Sequence, residues 1–401
     1  MKSALKWLAG RLLRLLPEAL RGEILPGPYG YSLADIPPAI VPPSAPVRLF
    51  ISPVNYAGQA REWGRAAAQN LPGVGAVNLA FRTPGGFTHA TDAVVPVGVW
   101  AASSRWQREL RREVLGGFTH AIVEAQRWPF GAPLDESVES QVRDMRRAGL
   151  FVAMLCHGSD IRLPSRHAAL NPESPFAGAL GVTTATLERG ALNSRRLLDR
   201  LGLPVFISTA DLLVDVPHAT WLPVVIDVEA WRVDTPPLSG SRPVVVHAPS
   251  RGAMKGSDLV DPVAHALHDE GLIEYRRITG IPHDQMREVY GTADIVLDQF
   301  RLGDYGVAAC EAMAAGRVVI GHVTEGVRAL VREAAGLELP IIEATGASLE
   351  AALRGIVAHP TRATLTAQAG PGYVRALHDG RRSAEALRPF LLPGVAVTPL
   401  D

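Results

Sequence analysis

The sequence predicts an α/β protein of two doubly wound, Rossmann-like domains, each built on a parallel sheet. Two observations carry this. From Val47 onward, short β-type runs alternate with amphipathic helical stretches, and the runs are continuously apolar, as strands buried on both faces read. The rhythm halts at the connector "WLPVVIDVEAWRVDTPPLSGS" (221–241) and then restarts. Parallel strands are joined by right-handed crossovers, and such sheets hold ligands beyond the carboxyl ends of their strands. Two such domains facing each other across a cleft are therefore expected, with the chemistry in the segments that follow each strand.

Taken in order, the first 22 residues, "MKSALKWLAGRLLRLLPEALRG", place Leu5, Leu8, Leu12, Leu15, Leu16 and Ala19 on one helical face. Lys6, Arg11, Arg14, Glu18 and Arg21 lie on the other. Interrupting charges and the lack of a small-residue cleavage site argue against a signal peptide, and Pro17 should kink or end the helix. Two readings stand: a helix packed on the body of the protein, or an interfacial helix on an anionic membrane surface, because the polar face is basic. Residues 26–46 form a Pro-rich extended linker. The expected domains are 1–46 (helix and linker), 47–235, 236–385, and a tail, 386–401, returning to the N-terminal domain.

Strand candidates of the first half are "VRLFIS" (47–52), "GAVNLAF" (75–81), "HAIVEA" (120–125), "LFVAMLC" (150–156) and "VFIST" (205–209). Those of the second are "PVVVHA" (243–248), "EYRRIT" (274–279), "DIVLDQ" (294–299), "RVVIGH" (317–322) and "PIIEA" (340–344).

Composition narrows the function. The 401 residues are 47% apolar, enough for two or three cored domains. Lys plus Arg balance Asp plus Glu at 40 each, which argues against a nucleic-acid partner. The two cysteines, Cys156 and Cys310, lie in apolar runs and read as buried thiols of a cytoplasmic protein. No Cys/His spacing suggests zinc, and neither a GxxxxGK[ST] loop nor a GxSxG elbow occurs.

At the strand ends, "PSRGAMKGSD" places Arg251 and Lys255 in a Gly-containing turn opening a helix, a setting for a di-anion such as pyrophosphate. The alternative there is a solvated basic loop. "FRLGDYG" follows, with Gly303 and Gly306 letting backbone approach a ligand. Glu311 then stands alone in the Ala-rich "VAACEAMAAG". A carboxylate in a burial-prone helix needs a partner: a ribose, or an arginine such as Arg251 or Arg317. In the first half, "CHGSDIR" gathers His157, Asp160 and Arg162 at a strand end. Cys156 neighbours His157, but adjacent strand residues point to opposite faces, which discounts a Cys/His nucleophile. Asn55, Gly58 and Gln59 form a short loop after the first strand that lines the cleft or merely connects.

These pieces resemble GT-B fold glycosyltransferases, of the retaining kind often called family 4. "RGAMKG" resembles that family's Arg-x4-Lys-Gly segment, one residue shorter. "VYGTADIVLDQ" resembles the strand leading to the sugar site. "GDYGVAACEAMAAGRVVI" resembles the Glu-Gly-Phe-Gly-x4-Glu-Ala-Met-Ala-x-Gly-x-Pro-Val motif. "CHGSDIR" is similar to the segment carrying an acceptor-domain histidine, and "STADLLVDVPHATWLPVVIDVEAWR" to the interdomain passage. The likeness spans roughly Val47 to Val357 and is densest between 243 and 322. Two departures stand out. The motif's first acidic position falls on Gly303, with Asp304 and Asp298 as neighbouring stand-ins, and Val318 replaces the closing proline.

The resemblance implies transfer of a sugar from a nucleoside-diphosphate donor to an acceptor hydroxyl with retention. Arg251 and Lys255 would neutralise the diphosphate in place of a metal or other cofactor, neither of which is expected. Asp304, Tyr305, the Gly306 amides and Glu311 would complete the donor site, Glu311 on the ribose. His157 would orient sugar or acceptor, its imidazole held by Asp160 or Arg162. Closure of the two domains would exclude water. The acceptor would be a glycan, a lipid-linked molecule or a small molecule, and the place the cytoplasm or the inner face of the membrane. Two rivals are a non-catalytic protein of the same fold that binds nucleotide sugar or membrane, which Gly303 favours, and a sugar-nucleotide epimerase or phosphorylase.

Overall fold

A computed structural model of the chain describes residues 16–25, 27–86, 89–133, 136–177, 184–250 and 252–394. It divides into two compact units. The first comprises the described residues up to His157, with Ser194–Phe206 and the chain from Ala384. The second comprises Gly158–Asn193 and Ile207–Ser383.

The first unit is organised by strands β1 (Val47–Ser52), β2 (Val74–Arg82), β3 (Ala93–Pro96), β4 (His120–Glu124), β5 (Phe151–Cys156) and β6 (Val205–Ile207). They run in the order β3-β2-β1-β4-β5-β6. The ladders of β1 with β2 and β4, and of β4 with β5, are parallel, with Phe50 opposite Val77 on one side and Ala121 on the other. β3 was not among the expected strands. It is short and ends in Pro96, a residue that an edge strand tolerates because it donates no ladder bond there.

A two-residue strand, β7 (Thr220–Trp221), precedes the second unit's sheet. That sheet comprises β8 (Val244–His247), β9 (Glu274–Arg277), β10 (Ile295–Leu297), β11 (Val318–Gly321) and β12 (Ile342–Glu343), in the order β12-β11-β10-β8-β9 and parallel throughout. Its continuous apolar runs are explained by two cores. Val246, Val296 and Val319 face one, with the helices Val307–Ala314 and Pro360–Leu377. Val245, Ile295, Leu297, Val318 and Ile320 face the other, with Ser257–Asp269 and Leu349–Ala358. Each such buried side chain contributes about 2 kcal/mol.

The Ala-rich helix Val307–Ala314 owes its composition to a close crossing. A Cβ on Gly370 would come within 2.6 Å of the Met313 carbonyl oxygen, so the two helices touch backbone to backbone. A side chain at 370 would separate them.

One expectation is revised. The segment 47–235 is not one body: residues 158–193 and 207–235 belong with the second unit. Specific bonds explain this. Arg162 Nε donates to Asp211 at 3.0 Å, Asn171 Nδ2 to the Arg301 carbonyl at 3.0 Å, and the Ile226 amide to the His378 carbonyl at 2.7 Å. Of the N-terminal amphipathic helix, most of its apolar and basic residues lie outside the described region. Its described end, Glu18–Ile24, packs on the first unit, where Glu18 accepts from Ser103 Oγ and from the Arg105 amide at the start of Ser104–Gly117. Among the described residues no helix is long and apolar enough to cross a membrane.

Candidate functional site

In the second unit, the strand order places β10 beside β8, and the connection from β8 leaves toward β9 on the opposite side. Such a reversal leaves a crevice beyond the carboxyl ends of the two central strands, where this class of sheet binds ligands. Lys255 ends the short helix Gly252–Lys255 that follows β8, and Asp298 follows β10. The two form an ion pair in which Lys255 keeps 18% of its side chain exposed and Asp298 3%. Arg251, the other expected cation, lies outside the described residues.

Glu311 is buried in the second turn of Val307–Ala314, and its Oε1 lies 2.6 Å from His283 Nε2. Arg317, one of the two arginines considered from the sequence, donates instead to the carbonyls of Ala315, Ala293 and Thr235. Burial raises the Glu311 pKa, against the bond from His283 and the nearby charge of Lys255. The bond to Glu311 raises the His283 pKa, against partial burial. The His283 contribution to stability is therefore complete below its ordinary value of 6.5 and is lost as pH rises through the raised one.

The loop between β10 and this helix is held from inside. Gly303 has φ +69°, and a Cβ there would meet Thr324 Cγ2 at 2.6 Å and Asn171 Nδ2 at 2.9 Å. The Asn171 carboxamide thus occupies the space that a side chain at 303 would enter. Gly303→Ala should destabilise the protein by about 2 kcal/mol, and Gly303→Glu by more, read as the midpoint of thermal unfolding.

Asp304 and Tyr305 differ from their expected donor-facing role because both turn inward. Asp304 is buried and shares a hydrogen bond with Asp211, which Arg162 and Thr209 also hold. Burial and the neighbouring carboxylate push the Asp304 pKa well above the usual range, so it carries the shared proton. Against its own burial, the charge of Arg162 keeps Asp211 low. Tyr305 Oη lies 3.0 Å from Tyr373 Oη and 3.1 Å from His378 Nε2. Burial pushes His378 down to about 4, so its neutral ring donates to the Val224 carbonyl and accepts from Tyr305. Gly306 has extended backbone at the start of Val307–Ala314, whose first amides have no side-chain cap.

The first unit has its own reversal between β1 and β4. At the end of β4 lies Glu124, fully buried, with Oε1 3.0 Å from His157 Nε2 and Oε2 accepting from the Val54 amide at 3.3 Å. The His157 ring stacks on Trp63 at 5.9 Å and meets Tyr56 edge-on at 5.0 Å. Glu124, which the sequence reading did not single out, thus holds Nε2. Asp160 accepts from the Gly158 amide at 2.7 Å, and Arg162 serves Asp211. Asn55 braces its loop, donating to the Ala90 carbonyl and accepting from the Arg61 amide. Gly58 takes φ +77° ahead of the helix Gln59–Asn70, and the Gln59 side chain is buried. Cys156 accepts from Gln126, consistent with an inert thiol. Among the described residues no group of three or more His, Cys, Asp or Glu could hold a metal ion.

His283, Glu124 and Asp211 were not singled out from the sequence. Glu124 gave the same signal that exposed Glu311, a lone carboxylate in an apolar run.

No protein-family model matches the chain, and no curated protein is recognisably similar to it. Solved structures do match. Sucrose-phosphate synthase from Thermosynechococcus elongatus superposes with a TM-score of 0.55 at 13% identity, covering 84% of this chain and 96% of that one. WaaG, a glycosyltransferase of lipopolysaccharide biosynthesis, gives 0.52 at 13%, covering 86% and 100%. HepE from Anabaena, solved with UDP and glucose, gives 0.52 at 14%, covering 84% and 98%. The chain has the GT-B glycosyltransferase fold.

Proposed function

We propose that the protein is a glycosyltransferase that moves a sugar from a nucleoside-diphosphate donor to an acceptor hydroxyl with retention of anomeric configuration. The observation that carries this reading is the gathering of Lys255, Glu311 and the uncapped amides after Gly306 around the reversal of the second unit's sheet. Lys255 would exchange Asp298 for the donor diphosphate, stabilising the charge that develops as the sugar departs. The amides at the helix start would add their dipoles to the same oxygens. Glu311 would accept from the ribose hydroxyls. Arg251 would supply a second cation beside Lys255. In the first unit, His157, its ring fixed by Glu124 and Trp63, would be the acceptor-side group, with Asn55, Gly58 and Gln59 shaping the adjacent loop.

HepE is known with UDP and glucose, and glycosyl transfer with retention is attributed to trehalose-6-phosphate synthase, which superposes with a TM-score of 0.55 at 11% identity. Both are consistent with a nucleotide-sugar donor and a sugar-containing or lipid-linked acceptor here. A cytoplasmic site at the inner face of a membrane belongs to the same reading through the N-terminal helix.

The test is release of nucleoside diphosphate from UDP-, GDP- and dTDP-sugars, with and without glycan acceptors. Acceptor-dependent release, lowered about 100-fold by Glu311→Gln, is expected if one charge-assisted contact to the donor is lost. Donor binding without turnover would instead favour the non-catalytic reading, which the obstructed side-chain position at Gly303 also favours.

A further inference from the structure

We propose that His283 is a positioning residue for the donor nucleotide, presenting the Glu311 carboxylate to a nucleoside diphosphate and making its affinity depend on pH. The inference rests on the donor-site reading above and adds a residue that the sequence motif does not contain.

Three observations carry it. Glu311 is buried deeply enough that a carboxylate there needs a permanent donor, and His283 Nε2 supplies one at 2.6 Å to Oε1. Among the described residues no other side chain is shown donating to Glu311, so Oε2 is available to a ligand hydroxyl. The imidazole is itself placed: its helix turn, His283–Gln285, follows β9, and Trp231 meets the ring edge-on at 5.7 Å, with Trp231 in turn against Tyr290. The side chain nonetheless keeps 38% of its surface exposed.

The charges around the pair set the direction of the pH effect. Glu311 faces His283 from the helix Val307–Ala314, and Asp284 lies beside His283 on its own turn. Lys255, at the end of the helix Gly252–Lys255, and Asp298, just after β10, act on Glu311 with opposite signs. The buried Tyr290 senses Glu311 and stays protonated. An imidazolium therefore keeps Glu311 ionised and adds one positive charge beside a di-anionic ligand. Loss of that proton leaves at best a neutral N–H donor, which is worth roughly half as much. Affinity should therefore fall as pH rises through the raised His283 value.

The experiment is calorimetric titration of the full chain with UDP, GDP and dTDP between pH 5.5 and 8.5, for the wild type, His283→Gln, His283→Ala and Lys255→Ala. His283→Ala should weaken the bound nucleotide about tenfold at the acid end. His283→Gln, whose amide can still donate, should restore most of that loss and flatten the profile. The ratio of wild-type to His283→Gln dissociation constants isolates the imidazole, because titration of the ligand phosphate is common to both. Unchanged affinity in His283→Ala, while Lys255→Ala abolishes binding, would overturn this inference and leave the donor site standing. Absence of binding to the wild type would overturn both.

Discussion

Lys255→Ala is expected to abolish nucleotide binding and also to destabilise the second unit, by about 3 kcal/mol. The second effect follows from the partner. Asp298 is almost completely buried, and removing Lys255 leaves an uncompensated carboxylate where water cannot reach it. Loss of binding in that variant alone could then reflect a disturbed fold. The double variant Lys255→Met/Asp298→Asn separates the two. It removes both charges while keeping side-chain volume, so stability should return to near the wild-type value, as it does when buried pairs are replaced by neutral groups of similar shape. Nucleotide binding should not return, because a thioether offers no charge to a phosphate. Chemical denaturation followed by the tryptophan signal, beside calorimetry on the same samples, reads both outcomes.

The second large effect is expected at the Arg162–Asp211–Asp304 cluster. Asp211→Ala removes the hydrogen-bond acceptor of the Arg162 guanidinium and of the Asp304 proton together, leaving a buried cation and a buried acid each short of its main partner. A loss of about 4 kcal/mol follows. Asp304→Asn should behave in the opposite way. The carboxamide it introduces is neutral at every pH and can donate to Asp211, as the protonated acid does. The raised Asp304 value fixes the sign of the pH effect. The folded state holds a proton that the unfolded chain releases above about 3.8, so this group costs stability progressively as pH rises above that value. Asp304→Asn should therefore be less sensitive to pH than the wild type between acid and neutral conditions. A thermal-unfolding series in pH for both variants checks the pair.

Much of the scaffold was legible in the sequence because burial on both faces leaves a direct trace. Val245 and Val246 point to different cores and are both apolar, so the run "VVVH" cannot be mistaken for a half-exposed strand. The place of the candidate site was legible for a similar reason. Lys255 and Glu311 are charges set among glycines and alanines, a pattern that only a partner or a ligand sustains. What the sequence could not show was direction and long-range pairing. Asp304 and Tyr305 sit in the right loop, but the left-handed turn at Gly303 and the bonds to Asp211, Tyr373 and His378 rotate them inward. The partner of Glu311 lies 28 residues away in a polar turn that carries no periodicity of its own. The division of the chain after His157 was hidden as well, because Arg162, Asn171 and Ile226 find their partners far along the chain.

The measurement that bears most directly on the central claim is calorimetric titration of UDP, GDP and dTDP, without added metal, into the wild type and into Lys255→Met/Asp298→Asn. The account predicts that one nucleotide binds the wild type and that the stable double variant does not bind it. Failure of all three to bind the wild type, or equal binding by both proteins, would contradict the assignment of a nucleoside-diphosphate site at the reversal between β8 and β10.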